Sequence, residues 1–500
     1  TKLFKRQASD LYKITSIRLK NELFITGEHP ILTSDGWVAV KDLPLRTNLC
    51  VFDENRLDFV FTNVFMKTFI PGEVTVYNFE TESHTYIAND LAVHNCYQFN
   101  KTEMKMPFAT AKKFIDELLA DKYGYLNRYN SPAIILEFIG GEPLLEINNT
   151  RRIYEYFLDR AYELDHPWFK LHRLSLCSNG LAYFDPEVQS FFKEYAQNIS
   201  FNISIDGNKK LHDTCRIQPN GEGSYDVDIT ALNHYNANHT PERNSKMTLA
   251  PGNIKYLFES VISFIKNDMK TINLNCVFEE GWNQKTALEE YNQLKRLSDY
   301  IIENNLEHLY ISIYREREED CYDSSMDGMP CGGNGAMLAL RPNGQFYPCI
   351  RYMPTSVGSN VKDFCIGDVH TGMVGRDQNS EVLKILDSMT RRSTTNDICY
   401  ECPINSSCAS CIALGHTVFG TPTKKTTFAC IQTIAEALAN VYYWNRLLLA
   451  HPDYDLNVRK NNVPKEWALK VISEEEWEEL QLLESASMLA VYERSEVMAS

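Results

Sequence analysis

The sequence predicts a multidomain protein: an all-β region, an α/β region with a parallel sheet, a Cys-rich region and a helical tail. Three observations predict it. Five hundred residues suffice for two to four domains with ample core. Short β-branched and aromatic runs fill residues 1–95, whereas apolar strands and amphipathic helices alternate from about 109 to 314. Eight of the 14 cysteines lie between Cys331 and Cys430, with Cys321 just before them. No apolar run reaches transmembrane length and no signal peptide is evident, so a cytoplasmic location without a membrane partner is expected. A net charge of −16 argues against nucleic acid as a partner. Thr1 is not a start methionine, so a fragment or a processed piece is expected.

In the first region LYKITSIRL, NELFITGE, WVAVKDL, LCVFDE, VTVYNFET and HTYIANDLAV read as strands, with turn residues such as Ser34-Asp35-Gly36 between them. ATAKKFIDELLAD then reads as an amphipathic helix with Phe114, Ile115, Leu118 and Leu119 on one face. AIILEFI, RLSLCSNG, NISIDG, KMTLA, NLNCVFEE and LYISIYR read as strands. Helices near 149–163, 186–197, 226–236, 253–268 and 284–304 separate them. Continuous apolar strands joined through helices imply a parallel sheet, and five or six such units imply an open or partial (β/α) barrel. Residues 321 to about 432 hold few long periodic runs. From 432 to 500 the pattern is helical again, and its Glu run reads as a solvated face. Clustered cysteines in a reducing compartment read as metal or Fe–S ligands.

The tripeptide His94-Asn95-Cys96 carries a first chemistry. TGEHPILTSDGWVAVKDL and VYNFETESHTYIANDLAVHNC, with His84 ten residues before His94, resemble blocks of inteins (Hint domains) over roughly residues 1–95. The resemblance implies that Asn95 cyclises to a succinimide and releases the chain beyond it. His94 and His84 would move the protons, since imidazole titrates near neutrality. Cys96 would accept an acyl group as a thioester and become the first residue of the C-terminal extein. Thr26 and His29 would strain and protonate the upstream scissile amide. The nucleophile that opens an intein lies in an earlier block, so splicing is expected to need an N-terminal piece. The family often has Asp where Asn78 stands, and Asn cannot act as a base. The stretch 49–73 leaves no room for a homing endonuclease, which implies a mini-intein.

A second chemistry lies beyond the junction. Gly140, Gly141, Glu142 and Pro143 end a strand, SIDG ends another, and HDTCR comes next. In this order they resemble the radical S-adenosylmethionine (SAM) superfamily. There three cysteines hold a [4Fe–4S] cluster whose open iron chelates SAM, and reduction yields a 5′-deoxyadenosyl radical. The resemblance makes Cys96 the last of these cysteines and puts the other two, with the first barrel strand, upstream of the intein. It implies that Gly140 and Gly141 let backbone approach the methionine amino group. Asn179, Ser204 and Asp206 would line the ribose side, and Arg216 would pair with the SAM carboxylate. Cys177, Cys215 and Cys276 read as core thiols.

A third chemistry lies in Cys331-x12-Gly344-x4-Cys349, Cys399-x2-Cys402-x5-Cys408-x2-Cys411 and Cys430. This resembles the SPASM extension, which binds two auxiliary [4Fe–4S] clusters, although the family usually has three residues in the last gap. The resemblance implies Cys331, Cys349 and Cys411 for cluster I, with Cys321 and Cys365 as candidates for its fourth ligand. It implies Cys399, Cys402, Cys408 and Cys430 for cluster II. Zinc is the alternative ligand for paired CxxC cysteines. The implied architecture is a Hint remnant (1–95), then a partial (β/α)6 TIM-type barrel lacking its first strand (96–320). A SPASM domain (321–432) and a helical tail (433–500) complete it. SPASM enzymes mostly modify ribosomally made peptides or proteins, with an electron donor such as flavodoxin or ferredoxin. Sulfatase-maturating members have Asp after the cysteine matching Cys349, whereas Ile350 and Arg351 follow here. CGGNGAMLALRPNGQFYPCIRYMP is closer to maturases of Cys-containing peptides, the CXXX-repeat class among them. A reading from another class is a self-processing Hint protein whose Cys-rich part is a zinc-binding interaction module.

Overall fold

Alternating apolar residues need a partner surface, and the first region supplies it by pairing strand on strand. The computed structural model describes residues 2–8, 11–16, 23–27, 29–33, 36–44, 47–53, 58–70, 74–80, 85–88, 91–94, 104–121, 132–218, 222–239, 243–314, 331–357, 361–373, 384–386, 388–405 and 408–499. The chain divides into two units, Thr1–Phe99 and Asn100–Ser500.

In the first unit, β1 (Lys2–Ala8) pairs with β8 (Val74–Glu80) along its whole length. A larger antiparallel sheet contains β2 (Leu11–Ser16), β3 (Leu23–Thr26), β4 (Pro30–Thr33), β5 (Gly36–Ala39), β6 (Asn48–Asp53), β7 (Asp58–Ile70), β9 (Thr85–Ala88) and β10 (Leu91–His94). Its order is β3-β2-β7-β6-β10-β4-β5, with β9 beside β10. Leu23 and Ile25 of β3 point inward while Phe24 is exposed, the period-two pattern of a half-buried strand. They join Ile14, Ile31, Val40, Leu43 and Leu49 in a small core. The run HTYIANDLAV, read as one strand, is two. β9 and β10 pair antiparallel from Ala88–Leu91 to Thr85–His94, with the turn formers Asn89 and Asp90 between them in sequence.

The second unit alternates as expected. α1 (Phe108–Leu119) precedes β11 (Ile134–Phe138), α2 (Ile147–Glu163) and β12 (His172–Ser178). Next come α3 (Pro186–Tyr195), β13 (Ile199–Ile203), α4 (Lys209–Cys215), α5 (Tyr225–Asn238) and β14 (Asn244–Leu249). α6 (Leu257–Lys266), β15 (Thr271–Cys276), α7 (Gln284–Glu303) and β16 (Tyr310–Ile311) close the series. β11-β12-β13 and β14-β15-β16 are each parallel and in sequence order. Leu174 and Leu176 of β12 are fully buried on one face of the strand, while Ser175 and Cys177 between and beside them are half-buried. In the same core the rings of Tyr183, Phe192 and Tyr235 each pack against Phe201, each adding roughly 1.5–3 kcal/mol by burial. α7 starts at a capping box in which Asn283 and Thr286 satisfy each other's backbone N–H. It buries Ala287, Tyr291, Leu294, Leu297 and Ile301 at helical spacing.

Beyond residue 331 the strands are very short. β17 (Ala339–Leu340), β18 (Gln345–Tyr347), β19 (Gly367–Asp368) and β20 (Gly372–Met373) form one antiparallel sheet. α8 (Ile412–Phe419), α9 (Cys430–Ala450) and α10 (Glu474–Ala499) come after it, and α9 packs along α7.

Candidate functional site

Parallel strands deliver their C-terminal ends to the same end of a sheet, where ligands of α/β folds bind. After β11, Gly140 and Gly141 take φ values of 97° and 56°. A Cβ on either would meet nothing within 4 Å, so their backbone is open to a close-fitting ligand. Glu142 is next and is fully engaged within the chain. Its Oε1 accepts from Leu144 N (3.1 Å) and from Ser178 Oγ (2.7 Å), and its Oε2 accepts from Asn179 N (2.8 Å). Glu142 thereby ties the loop after β11 to the end of β12. Pro143 is buried at the start of the next helical turn.

The loops after β12 and β13 are tied in turn. Asn179 Oδ1 accepts from Leu181 N (3.1 Å), and Ser204 N donates to Ser178 O (3.0 Å). The hydroxyl of Ser204 lies 3.6 Å from Cys177 Sγ. Asp206 Oδ2 accepts from Arg216 Nε at 2.7 Å, so the carboxylate aims the guanidinium while using one of its five donors. Behind this pair sits His212, the first residue of the HDTCR motif, to which the sequence assigned no role. His212 Nδ1 accepts from Asp206 N (3.1 Å), so Nε2 carries the ring proton. That nitrogen faces Asp228 Oδ2 (3.0 Å) and Ser224 Oγ (2.8 Å), and Ser224 also donates to Asp228 (2.7 Å). His212 and Asp228 are fully buried. Its signal in the sequence is its place at the head of HDTCR, while its partners Ser224 and Asp228 lie beyond α4.

The cysteines come together as two groups. Burial pushes the Cys331 and Cys349 thiols up, and the nearby Cys411 adds to both shifts. The same three thiols raise the pKa of the buried Tyr352 hydroxyl, after burial itself. In the second group burial pushes Cys430 up to about 11, with Cys408, Cys399 and Cys402 adding to it. Cys402 is raised by burial and by Cys408 and Cys399. Lys425 Nζ donates to Cys408 Sγ at 3.0 Å. Cys365 stands apart, its thiol donating to Gly367 O (3.3 Å) and its neighbours being Asp363, Tyr347 and Asp368. The ten described cysteines are all free thiols. Ionised thiols this close repel one another unless a cation balances them, which is what an iron–sulfur cluster or zinc supplies. Among the described residues neither group brings three thiols within 4.8 Å of one another, a spacing wider than a mononuclear zinc site needs and compatible with a larger iron–sulfur cluster. Cys96 and Cys321 lie outside the described residues, as does the side chain of Cys215.

In the first unit, His29 N donates to Thr26 O (3.0 Å) across a turn at Gly27, and Thr26 is buried. Val93 of β10 pairs with Ile31, which brings His94 level with Pro30 and next to His29 in the chain. On its other side His94 pairs with Thr85, the residue after His84. Asn78 lies in β8 opposite Phe4. His84, Asn95 and the side chain of His94 lie outside the described residues.

No protein-family profile matches the chain. An uncharacterized protein of Methanocaldococcus jannaschii is 27% identical over 281 residues, spanning 55% of this chain and 83% of that protein. A DnaB intein from Synechocystis sp. PCC 6803 aligns at 22% identity over 19% of this chain and 66% of its own, with a TM-score of 0.17 that carries no weight. Native anSMEcpe with bound AdoMet and the Kp18Cys peptide is 17% identical, covering 72% of this chain and 94% of its own at a TM-score of 0.52. Native anSMEcpe with bound AdoMet alone gives 17%, 71%, 93% and 0.51. Over that length the chain has the fold of anSMEcpe.

Proposed function

We propose that residues 96–500 belong to a radical SAM enzyme that generates a 5′-deoxyadenosyl radical to modify a ribosomally made peptide or protein. Residues 1–95 are then the C-terminal part of a mini-intein that splices at Asn95–Cys96. Within the enzyme, 96–320 is a partial (β/α)6 barrel, 321–432 a SPASM domain and 433–500 a helical tail. The observation that carries this reading is the gathering of seven thiols into two groups, downstream of strand ends built on Gly140, Glu142, Asn179, Ser204 and Asp206. That anSMEcpe, of the same fold, is seen with AdoMet and a peptide supports it.

When bound, a reduced [4Fe–4S] cluster supplies the electron that opens the SAM sulfonium. The chain's own residues bind and orient. The open backbone of Gly140 and Gly141 receives the methionine amino group. Arg216, aimed by Asp206, pairs with the carboxylate, and Asn179 and Ser204 flank the ribose. Cys96 supplies one thiolate of the SAM cluster, and Cys331, Cys349 and Cys411, with Cys399, Cys402, Cys408 and Cys430, hold the auxiliary clusters. The outer edge of β11, unpaired among the described residues, is where a further strand would add. Among the described residues β11 pairs with β12 alone, and Ile135 is 67% exposed in a strand type normally buried on both faces. Ile350 after Cys349 speaks against sulfatase maturation, and the stretch CGGNGAMLALRPNGQFYPCIRYMP favours a Cys-containing peptide substrate, with flavodoxin or ferredoxin as electron donor.

The test is anaerobic incubation of the ligated protein, with the upstream CxxxCxx segment supplied, with SAM and dithionite. Formation of 5′-deoxyadenosine, lost to background in Arg216→Ala and Cys96→Ala, is expected. No 5′-deoxyadenosine above a cluster-free control would refute the reading in favour of a zinc-binding module.

A further inference from the structure

Cys276 closes β15, at the end of the sheet where the strand-end loops gather. Glu290 comes from α7, and Glu436 with Gln432 from α9. The Cys276 sulfur lies 3.6 Å from Glu290 Oε1 and 3.3 Å from Glu436 Oε1. Gln432 Nε2 donates to the same two oxygens, at 2.9 and 2.6 Å. All three acidic groups offer an atom within 4.8 Å of the others. Glu290 is fully buried, Glu436 nearly so, and Cys276 is of intermediate exposure.

Two features distinguish this cluster from an ordinary buried hydrogen-bond network. Glu290 Oε2 is buried and has no hydrogen-bond partner among the described residues, an acceptor left over within the cluster. The groups acting on Glu290 are Glu436, Gln432 and Cys276, none of them cationic. Burying a carboxylate without a counter-charge is costly. Without an ion, burial first and Glu436 second push the Glu290 carboxyl well above its ordinary range, and burial does the same to the Cys276 thiol.

We propose that Cys276, Glu290 and Glu436 form a mononuclear site for a borderline-soft divalent cation of the Zn2+ or Co2+ kind. A tetrahedral ion with Zn–S near 2.3 Å and Zn–O near 2.0 Å separates its sulfur and oxygen ligands by about 3.5 Å. The observed separations of 3.6 and 3.3 Å bracket that value. Thiolate ligation selects against Ca2+ and Mg2+, which take oxygen ligands in larger number. Gln432 orients both carboxylates by its amide donors, as outer hydrogen bonds do at metal sites. Three protein ligands leave a fourth position for a water or another small ligand. Bound there, the ion fastens α9, the helix that begins at Cys430, to β15 and α7. This assignment is independent of the radical reaction proposed above.

Equilibrium dialysis of the full chain against Zn2+ tests the site, with zinc per chain read by plasma mass spectrometry. Cys276→Ser, Glu290→Gln and Glu436→Gln are each expected to bind one zinc fewer than the parent, since any zinc on the seven other clustered cysteines is common to all four. Equal zinc in the parent and in a variant with an unchanged circular dichroism melt overturns the site. Should all three variants misfold, anomalous diffraction at the zinc edge from the zinc-soaked parent decides: a peak bonded to Cys276 Sγ supports the site, and its absence overturns it.

Discussion

Glu142 takes three hydrogen bonds from two loops, and that makes it a brace as much as a ligand. Glu142→Ala would leave the Ser178 hydroxyl proton and Asn179 N without their acceptor, at a cost of about 1–3 kcal/mol, measured by thermal melts, with Glu142→Gln milder. His212→Leu leaves Asp228 buried without its ring partner and is expected to lower the melting temperature more than Arg216→Ala, whose side chain is partly solvated. His166 carries a pH signature. Its Nδ1 accepts from Trp168 N at 3.2 Å, and burial lowers its pKa below 6.5. The folded state then binds fewer protons than the unfolded one, so this contribution is present above pH 6.5 and is lost as pH falls toward the folded pKa. His166→Gln should flatten the fall in stability below pH 6.5, as read from denaturant melts at several pH values. Arg216 and Asp206 were legible because their types suit an anionic ligand. His212 was not, since its partners Ser224 and Asp228 lie beyond the end of its own helix. Cys276 read as a core thiol because its glutamate neighbours lie on α7 and α9, far off in sequence.

Among the elements, glycines separate two demands. Gly207 combines a φ of 86° with a position where a Cβ would lie 2.3 Å from Ser260 Oγ. Gly207→Ala is expected to cost about 2–4 kcal/mol through strain and overlap together. Gly140→Ala meets open space, so only its φ resists, by about 1 kcal/mol. It should melt close to the parent yet bind SAM more weakly, which isothermal titration of the reconstituted ligated protein would show. The long helices and the six parallel strands were legible from periodicity, because helices and buried strands leave repeating apolar patterns over many residues. β9 and β10 were merged because the Asn89-Asp90 turn signal was read through. The sheet β17–β20 escaped notice because strands of two or three residues carry no period.

At the scale of the molecule, the second unit holds one continuous core from Ala111 to Leu480, which joins the parallel sheets to the cysteine-rich part and the tail helices. Among the described residues, no helix is long and apolar enough to cross a membrane. The first unit brings His29, His94 and Thr85 close through strand register alone. If it cleaves at Asn95–Cys96, mass spectrometry should detect a released fragment ending at residue 95, and Asn95→Ala should abolish it. What most distinguishes this chain is the sorting of seven thiols into a group of three and a group of four. Anaerobic reconstitution with iron and sulfide, then metal analysis of the chain as it stands, tests that most directly. Two four-iron clusters predict about eight irons and as many sulfides per chain, falling to about four in Cys408→Ser. One or two zincs with no sulfide retained would contradict it.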